Sequence, residues 1–224
     1  FTETEPGLYT SEIAFLAQSG VKYQLKVDAD DGRSYSSNEV AISSISTIDA
    51  IRAERIVNDS DEDGIAIFVD SFDPTGRSSN YRYTYEETYR IIPPNWEFNR
   101  LITDPEVECG VEVVLKERED RVCYTTDFSN DIILTSTRDL EEDRVGNFMV
   151  RFLNRDNYII SHRYSILVKQ HVQSNMAYSF YKTLNDFSGE ESLFSETQPG
   201  FLEGNLFSIQ NENEKVLGFF EVTS

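Results

Sequence analysis

The residues best equipped for chemistry in this sequence are acidic. Asp59, Asp61, Asp63 and Gly64 read D-S-D-E-D-G. That is the first half of a calcium loop, in which alternate carboxylates converge and a glycine makes the sharp turn. The match stops there. The chain continues as IAIFVD, which alternates like a strand, and the twelfth position is Asp70 rather than glutamate. The spacing predicts an acidic hairpin tip, with no metal site and no cofactor.

A second group is aromatic. Tyr81, Tyr83, Tyr85 and Tyr89 fall on one face of a strand, and Arg82, Thr84 and Glu86 on the other. Tyrosines so placed are usually half-buried packing with the hydroxyl at the rim. A carbohydrate or peptide groove would use the same residues, and Trp96 follows closely in sequence. If the chain binds a ligand, Tyr81, Tyr83, Tyr85 and Trp96 are the expected contacts. Tyr178 and Tyr181 offer another aromatic surface.

Covalent chemistry has less to work with. There is no G-x-S-x-G elbow, no H-E-x-x-H, no phosphate loop and no dinucleotide fingerprint, so no catalytic residue is assigned. A glycosidase needs only two placed carboxylates; the 40 acidic residues neither support nor exclude one. Cys109 and Cys123 lie 14 apart, and His162 and His171 lie elsewhere, so zinc spacing is absent. In an exported protein the two cysteines would form one disulfide between neighbouring antiparallel strands joined by the charged turn Lys116 to Asp120. In a cytosolic protein they would be two buried thiols.

Charge narrows the partners. Twenty basic against 40 acidic residues leave a net charge of −20. That field repels a phosphate backbone and an anionic membrane surface, so nucleic acid is not expected as a partner. No apolar run is long enough to span a bilayer. The chain opens at Phe1 with no signal peptide, and we read it as a mature or trimmed piece.

The elements that position these residues are strands. Short alternating segments recur near 50–57, 64–72, 79–91, 110–117, 121–126, 131–136, 146–154, 158–171, 203–210 and 215–222, punctuated by turns such as Asp73–Gly76 and Asn211–Glu214. Residues 93–105 read as a long loop. Upstream, Val21, Tyr23, Leu25 and Val27 alternate before a tight turn at Asp30–Asp31–Gly32. This hairpin cannot fold alone, so its sheet partners lie upstream or in the next domain. The Ser-rich stretch Ser43 to Asp49 marks the boundary, giving 1–45 as the end of one β-domain and 46–224 as a larger one. One helix is expected, within 174–188. Ser174 or Asn175 caps it, and Met176, Ala177, Phe180, Tyr181, Leu184 and Phe187 make its apolar face. The fold class is mainly β, an antiparallel barrel or sandwich with one short helix in the C-terminal half.

The C-terminal third carries a family likeness. RYSILVKQHVQSNMAYSFYKTLNDFSG and QPGFLEGNLFSIQNENEKVLGFFEVTS, with GVKYQLKVDADDGRSYSSNEV, Thr47–Asp49, Phe72–Gly76, the NYRYTYEETY block and Cys123–Tyr124 upstream, resemble domain of unknown function 4249, a Bacteroidota cell-envelope lipoprotein family. Tyr124 stands where many members have tryptophan. The resemblance implies an immunoglobulin-like first domain, of which residues 1–45 are the C-terminal part. It also implies a lipid anchor upstream of this chain, an outer-membrane location and genes neighbouring TonB-dependent transporters. It assigns no catalytic residues. The leading expectation is therefore a non-enzymatic, lipid-anchored envelope protein that helps such a transporter capture a nutrient, with a glycan or peptide ligand. In that exported setting Cys109 and Cys123 are expected to be bonded. The rivals are a glycan hydrolase of the same kind of locus and a structural or adhesive envelope component.

Overall fold

A computed structural model describes residues 1–103, 110–189 and 202–223. In chain order its strands are β1 (Thr2–Glu5), β2 (Leu8–Thr10), β3 (Lys22–Tyr23), β4 (Lys26–Asp28), β5 (Ser34–Ser37), β6 (Val40–Ala41), β7 (Ile48–Val57), β8 (Asp63–Phe72), β9 (Asn80–Ile91), β10 (Asn99–Thr103), β11 (Val111–Leu115), β12 (Cys123–Phe128), β13 (Ile133–Ser136), β14 (Arg144–Asn154), β15 (Tyr164–Val172) and β16 (Leu206–Ser208). Among the described residues there is one α-helix, α1 (Asn175–Gly189), besides a 3-10 turn at Tyr158–Ile160. No helix among them is long and apolar enough to cross a membrane.

Two antiparallel sheets pack face to face. One runs β14-β8-β7; the other is built on β9, the longest strand. β15 pairs with β9 from Tyr81 to Tyr89 along one edge. β12 and β13 share the opposite edge, taking Glu86–Ile91 and Asn80–Tyr83 respectively. With neighbours on both edges and a sheet across its inner face, β9 is the most enclosed element. Its odd-numbered residues therefore point into the core. Ile67 and Val69 of β8, Tyr81, Tyr83 and Tyr85 of β9, Val145 and Val150 of β14, and Val168 and Val172 of β15 form that core. The sheets do not close on one another, so the result is a sandwich rather than a barrel.

The loops are held by local polar bonds. In the FDPTG segment, Asp73 is 4% exposed and accepts from Thr75 N, Thr75 Oγ1, Arg77 N and Ser78 N. Burial works against its charge, but the bonds from Thr75 and Ser78 outweigh it and hold the carboxyl at about 2. Gly64 is glycine for close approach: a Cβ there would collide with the Leu153 carbonyl oxygen and the Phe152 ring of the neighbouring strand.

Several expectations change. The segment after Trp96 is not all loop, because it contains β10, which pairs residue for residue with β11. β11 consequently does not pair with β12, which joins β9 instead. The stretch expected as one strand over 158–171 is a 3-10 turn followed by β15. Residues 215–222 form no strand, although Asn205 exchanges bonds with both the N–H and the carbonyl of Phe220. The hairpin around Gly32, where φ is +85°, finds its partner at the far end of the chain: β16 pairs with β5.

The helix begins as its sequence dictates, with Ser174 Oγ accepting from Ala177 N at 3.1 Å. Only part of the apolar face is used. Ala177 and Phe180 are buried, Met176 and Phe187 are exposed, and Phe180 stacks on Phe219 at 5.3 Å. The helix and the C-terminal segment thus cover the outer face of β9 and β15. Glu221 accepts from Arg82 and Gln173 there, and Arg82 lies 4.8 Å above the Tyr181 ring. His171 bridges Thr84 at 3.0 Å and Thr223 at 3.2 Å. Burial, then repulsion by Arg82 and Lys169, lowers the half-buried imidazole to about 4.

Candidate functional site

The tyrosine row divides. Tyr81 and Tyr83 are fully buried (0% exposed), where no ligand reaches them, because their strand is central and its inner face is covered by β8 and β14. Their hydroxyls are used internally: Tyr81 donates to Ser78 O and Asp143, Tyr83 to Gln170. They are core residues, not a binding platform. Tyr85 is also buried, but it reaches the wall of a cleft. Trp96 stands apart from that cleft, packed edge-on against Phe98 at 4.7 Å with Lys116 4.7 Å from its ring. Tyr181 lies over Arg82 on the opposite face of the sheet, and Tyr178 is partly buried on the helix.

The cleft opens where β9, β12 and β14 meet. Its volume is about 360 Å³, and its walls carry Tyr85, Glu87, Asp127, Phe128, Asp131 and Arg151. The floor is an ion pair. Glu87 follows Tyr85 by two, so strand alternation turns its carboxylate inward, and its side chain is 7% exposed. A buried carboxylate demands a cation. β14 supplies it: Arg151 donates from Nε to Oε2 at 3.2 Å and from Nη2 to Oε1 at 2.9 Å. Tyr164 of β15 adds a hydroxyl bond to Oε2 at 2.8 Å. The guanidinium also sits 5.4 Å from the Tyr85 ring. Desolvation opposes the Arg151 cation, but Glu87 outweighs it and holds the group above its usual value. Burial, and then Glu87, pushes the Tyr164 phenol up.

The rim is acidic and partly free. Tyr89 donates to Asp127 Oδ2 at 2.7 Å and lies 3.2 Å from the Tyr158 hydroxyl; these two contacts, in the reverse order of size, push the Tyr89 phenol up. Asp131 has no hydrogen-bond donor among the described residues, and Phe128 exposes 64% of its surface.

The remaining marked residues resolve separately. At the acidic tip the Asp63 carboxylate takes a two-pronged bond from Arg55, at 2.8 and 2.5 Å, and a longer one from Arg155. The Arg55 guanidinium holds its carboxyl below the usual range. Asn58 Oδ1 organises the turn by accepting from Ser60 N and Glu62 N. Asp63 is thus the arginine-paired base of a hairpin. Among the described residues no cluster has metal-binding geometry. Cys123 is exposed at the start of β12, and Cys109 lies outside the described residues.

The model for the family described as domain of unknown function (DUF4249) matches residues 1–224. The chain belongs to that family. No curated protein and no solved structure matches it. In this DUF4249 chain the quoted motifs now have physical roles. NYRYTYEETY is the central strand with its buried acid, and Phe72–Gly76 is the Asp73-centred turn. Sequence reasoning missed Glu87, Arg151, Asp127 and Asp131. The signal for Glu87 was present, since an acid at an inward position of a tyrosine row implies a buried partner. The other three depend on long-range pairing.

Proposed function

We propose that this DUF4249 protein is a non-enzymatic component of the cell envelope that holds a nutrient for a TonB-dependent outer-membrane transporter, anchored through lipid attached upstream of this chain. The family assignment supports the envelope setting. The observation that carries the binding role is the cleft floor. Its enclosed carboxylate, Glu87, has both oxygens engaged by Arg151 and Tyr164. A general acid must present a proton to the substrate and a nucleophile must present a free oxygen; Glu87 does neither, and the carboxylates with free oxygens, Asp127 and Asp131, lie exposed on the rim. What the cleft offers instead is fixed polar groups around a small volume, the design of a binding site.

The test has two arms. A pull-down from native envelopes with the lipidated protein is expected to recover a TonB-dependent transporter. Incubation with glycan and peptide panels is expected to show binding with no product released. Release of product, with no transporter recovered, would put the hydrolase first.

A further inference from the structure

We infer that the cleft takes a neutral saccharide, gripping its hydroxyls between Asp127, Asp131 and Arg151 and packing a sugar face on Phe128. The inference rests on the capture reading above and adds the ligand class. Arg151 directs Nε and Nη2 at Glu87, and among the described residues no acceptor meets Nη1. Among the described residues Asp127 receives Tyr89 through Oδ2 and has no donor at Oδ1, and Asp131 has neither oxygen engaged. Asn130 adds both a donor and an acceptor to the wall. The cleft therefore presents donors and acceptors side by side, held by strands and by an ion pair rather than by mobile loops alone.

The charge balance chooses among ligands. Glu87 and Arg151 neutralise each other at the floor, and the two rim aspartates remain. Phosphates and carboxylates meet those aspartates and the −20 field of the chain. A compact cation would satisfy the aspartates but meet the like charge of Arg151, 25% exposed at the floor, and would offer no acceptor to its Nη1. A sugar hydroxyl both donates and accepts. Neighbouring hydroxyls can bond a carboxylate and a guanidinium together, with no net charge to repel. Phe128, 64% exposed on the rim, supplies the flat apolar surface that a sugar's C–H face covers.

The experiment is calorimetric titration of the purified full chain with neutral oligosaccharides of glucose, mannose, galactose and xylose, alongside spermidine and inorganic phosphate. At least one oligosaccharide is expected to bind, and neither charged probe. Phe128→Ala should weaken binding about fivefold and Asp131→Ala about tenfold or more. Both residues are exposed, so unchanged melting curves are expected to show that the variants fold. Binding of spermidine or phosphate but of no oligosaccharide overturns the inference, as does a panel with no saccharide binding at all. Saccharide binding unchanged in both variants overturns the site and leaves the capture reading standing. Saccharide binding followed by cleavage overturns the capture reading and leaves the ligand class standing.

Discussion

Replacing Arg151 with methionine removes the cation from beneath a carboxylate whose side chain is 7% exposed, while keeping most of the stem that packs near Tyr85. Glu87 would then retain one bond, from the Tyr164 hydroxyl. Stripping one partner from a buried pair costs about 3–5 kcal/mol. Arg151 is 25% exposed, so water replaces part of the lost interaction, and about 2–3 kcal/mol is the reasonable expectation. For a chain of this size that is a fall in Tm of roughly 4–12 °C. The matching double change, Glu87→Leu with Arg151→Met, removes both charges at once. It should recover most of the loss, because replacing a buried pair by apolar side chains is often neutral or stabilising. Urea denaturation of the wild type, both single variants and the double variant closes a cycle that isolates the pair. A single Arg151→Met variant within about 0.5 kcal/mol of wild type, or a double variant as unstable as the two losses added, would refute a buried, mutually dependent pair.

Three other outcomes can be measured. Histidine's usual 6.5 falls to about 4 at His171, so on acidification the unfolded chain takes up this proton first. The corresponding stability is present above pH 6.5, is lost between 6.5 and about 4, and is constant below. A shift of that size is worth about 3 kcal/mol for a fully enclosed ring, and about 1–2 kcal/mol after screening of a half-buried one; urea titrations of His171→Gln across that range should lose this slope. Millimolar calcium should leave Tm unchanged, and a rise of several degrees abolished by Asp61→Asn would contradict the hairpin-tip reading. From the exported setting that the family suggests, and not from strand adjacency, since β11 pairs with β10 and β12 with β9, we propose that Cys109 and Cys123 are bonded, a link worth about 3 kcal/mol in the chain-entropy model; two titratable thiols in the non-reduced, unfolded protein would count against it.

The parts of this fold that were legible in the sequence are those set by local rules. Strand alternation placed β7, β8, β9 and β14 to within a few residues, and a serine before an apolar periodic run placed the start of α1. The Asp73 turn and the Gly32 hairpin were readable from turn chemistry. Which strand lies beside which was not, because a period of two records the face a residue takes and not its neighbour. Cys109 and Cys123 invited a pairing of β11 with β12, yet β11 lies against β10 and β12 against β9. The same limit hid the site. Tyr81, Tyr83 and Tyr85 share a face with Glu87, but only the second sheet decides which of them is sealed and which reaches a cleft.

β9 carries two unrelated tasks on its two faces. Inward, Tyr81 and Tyr83 fill the core, and Tyr85 and Glu87 continue the same row to the cleft. Outward, Arg82 and Thr84 hold the helix and the C-terminal segment through Tyr181, Glu221 and His171. Because the strand is paired along both edges, neither face can shift without breaking ladder bonds, and this fixes Glu87 and, through it, the Arg151 fork. The ion pair at the cleft floor is therefore set before any ligand arrives, which lowers the ordering cost of binding there. If the cleft holds a ligand as we propose, the same rigidity makes Glu87 a positioning residue. Removing it should weaken a ligand that touches Arg151 even though the carboxylate is already engaged within the protein.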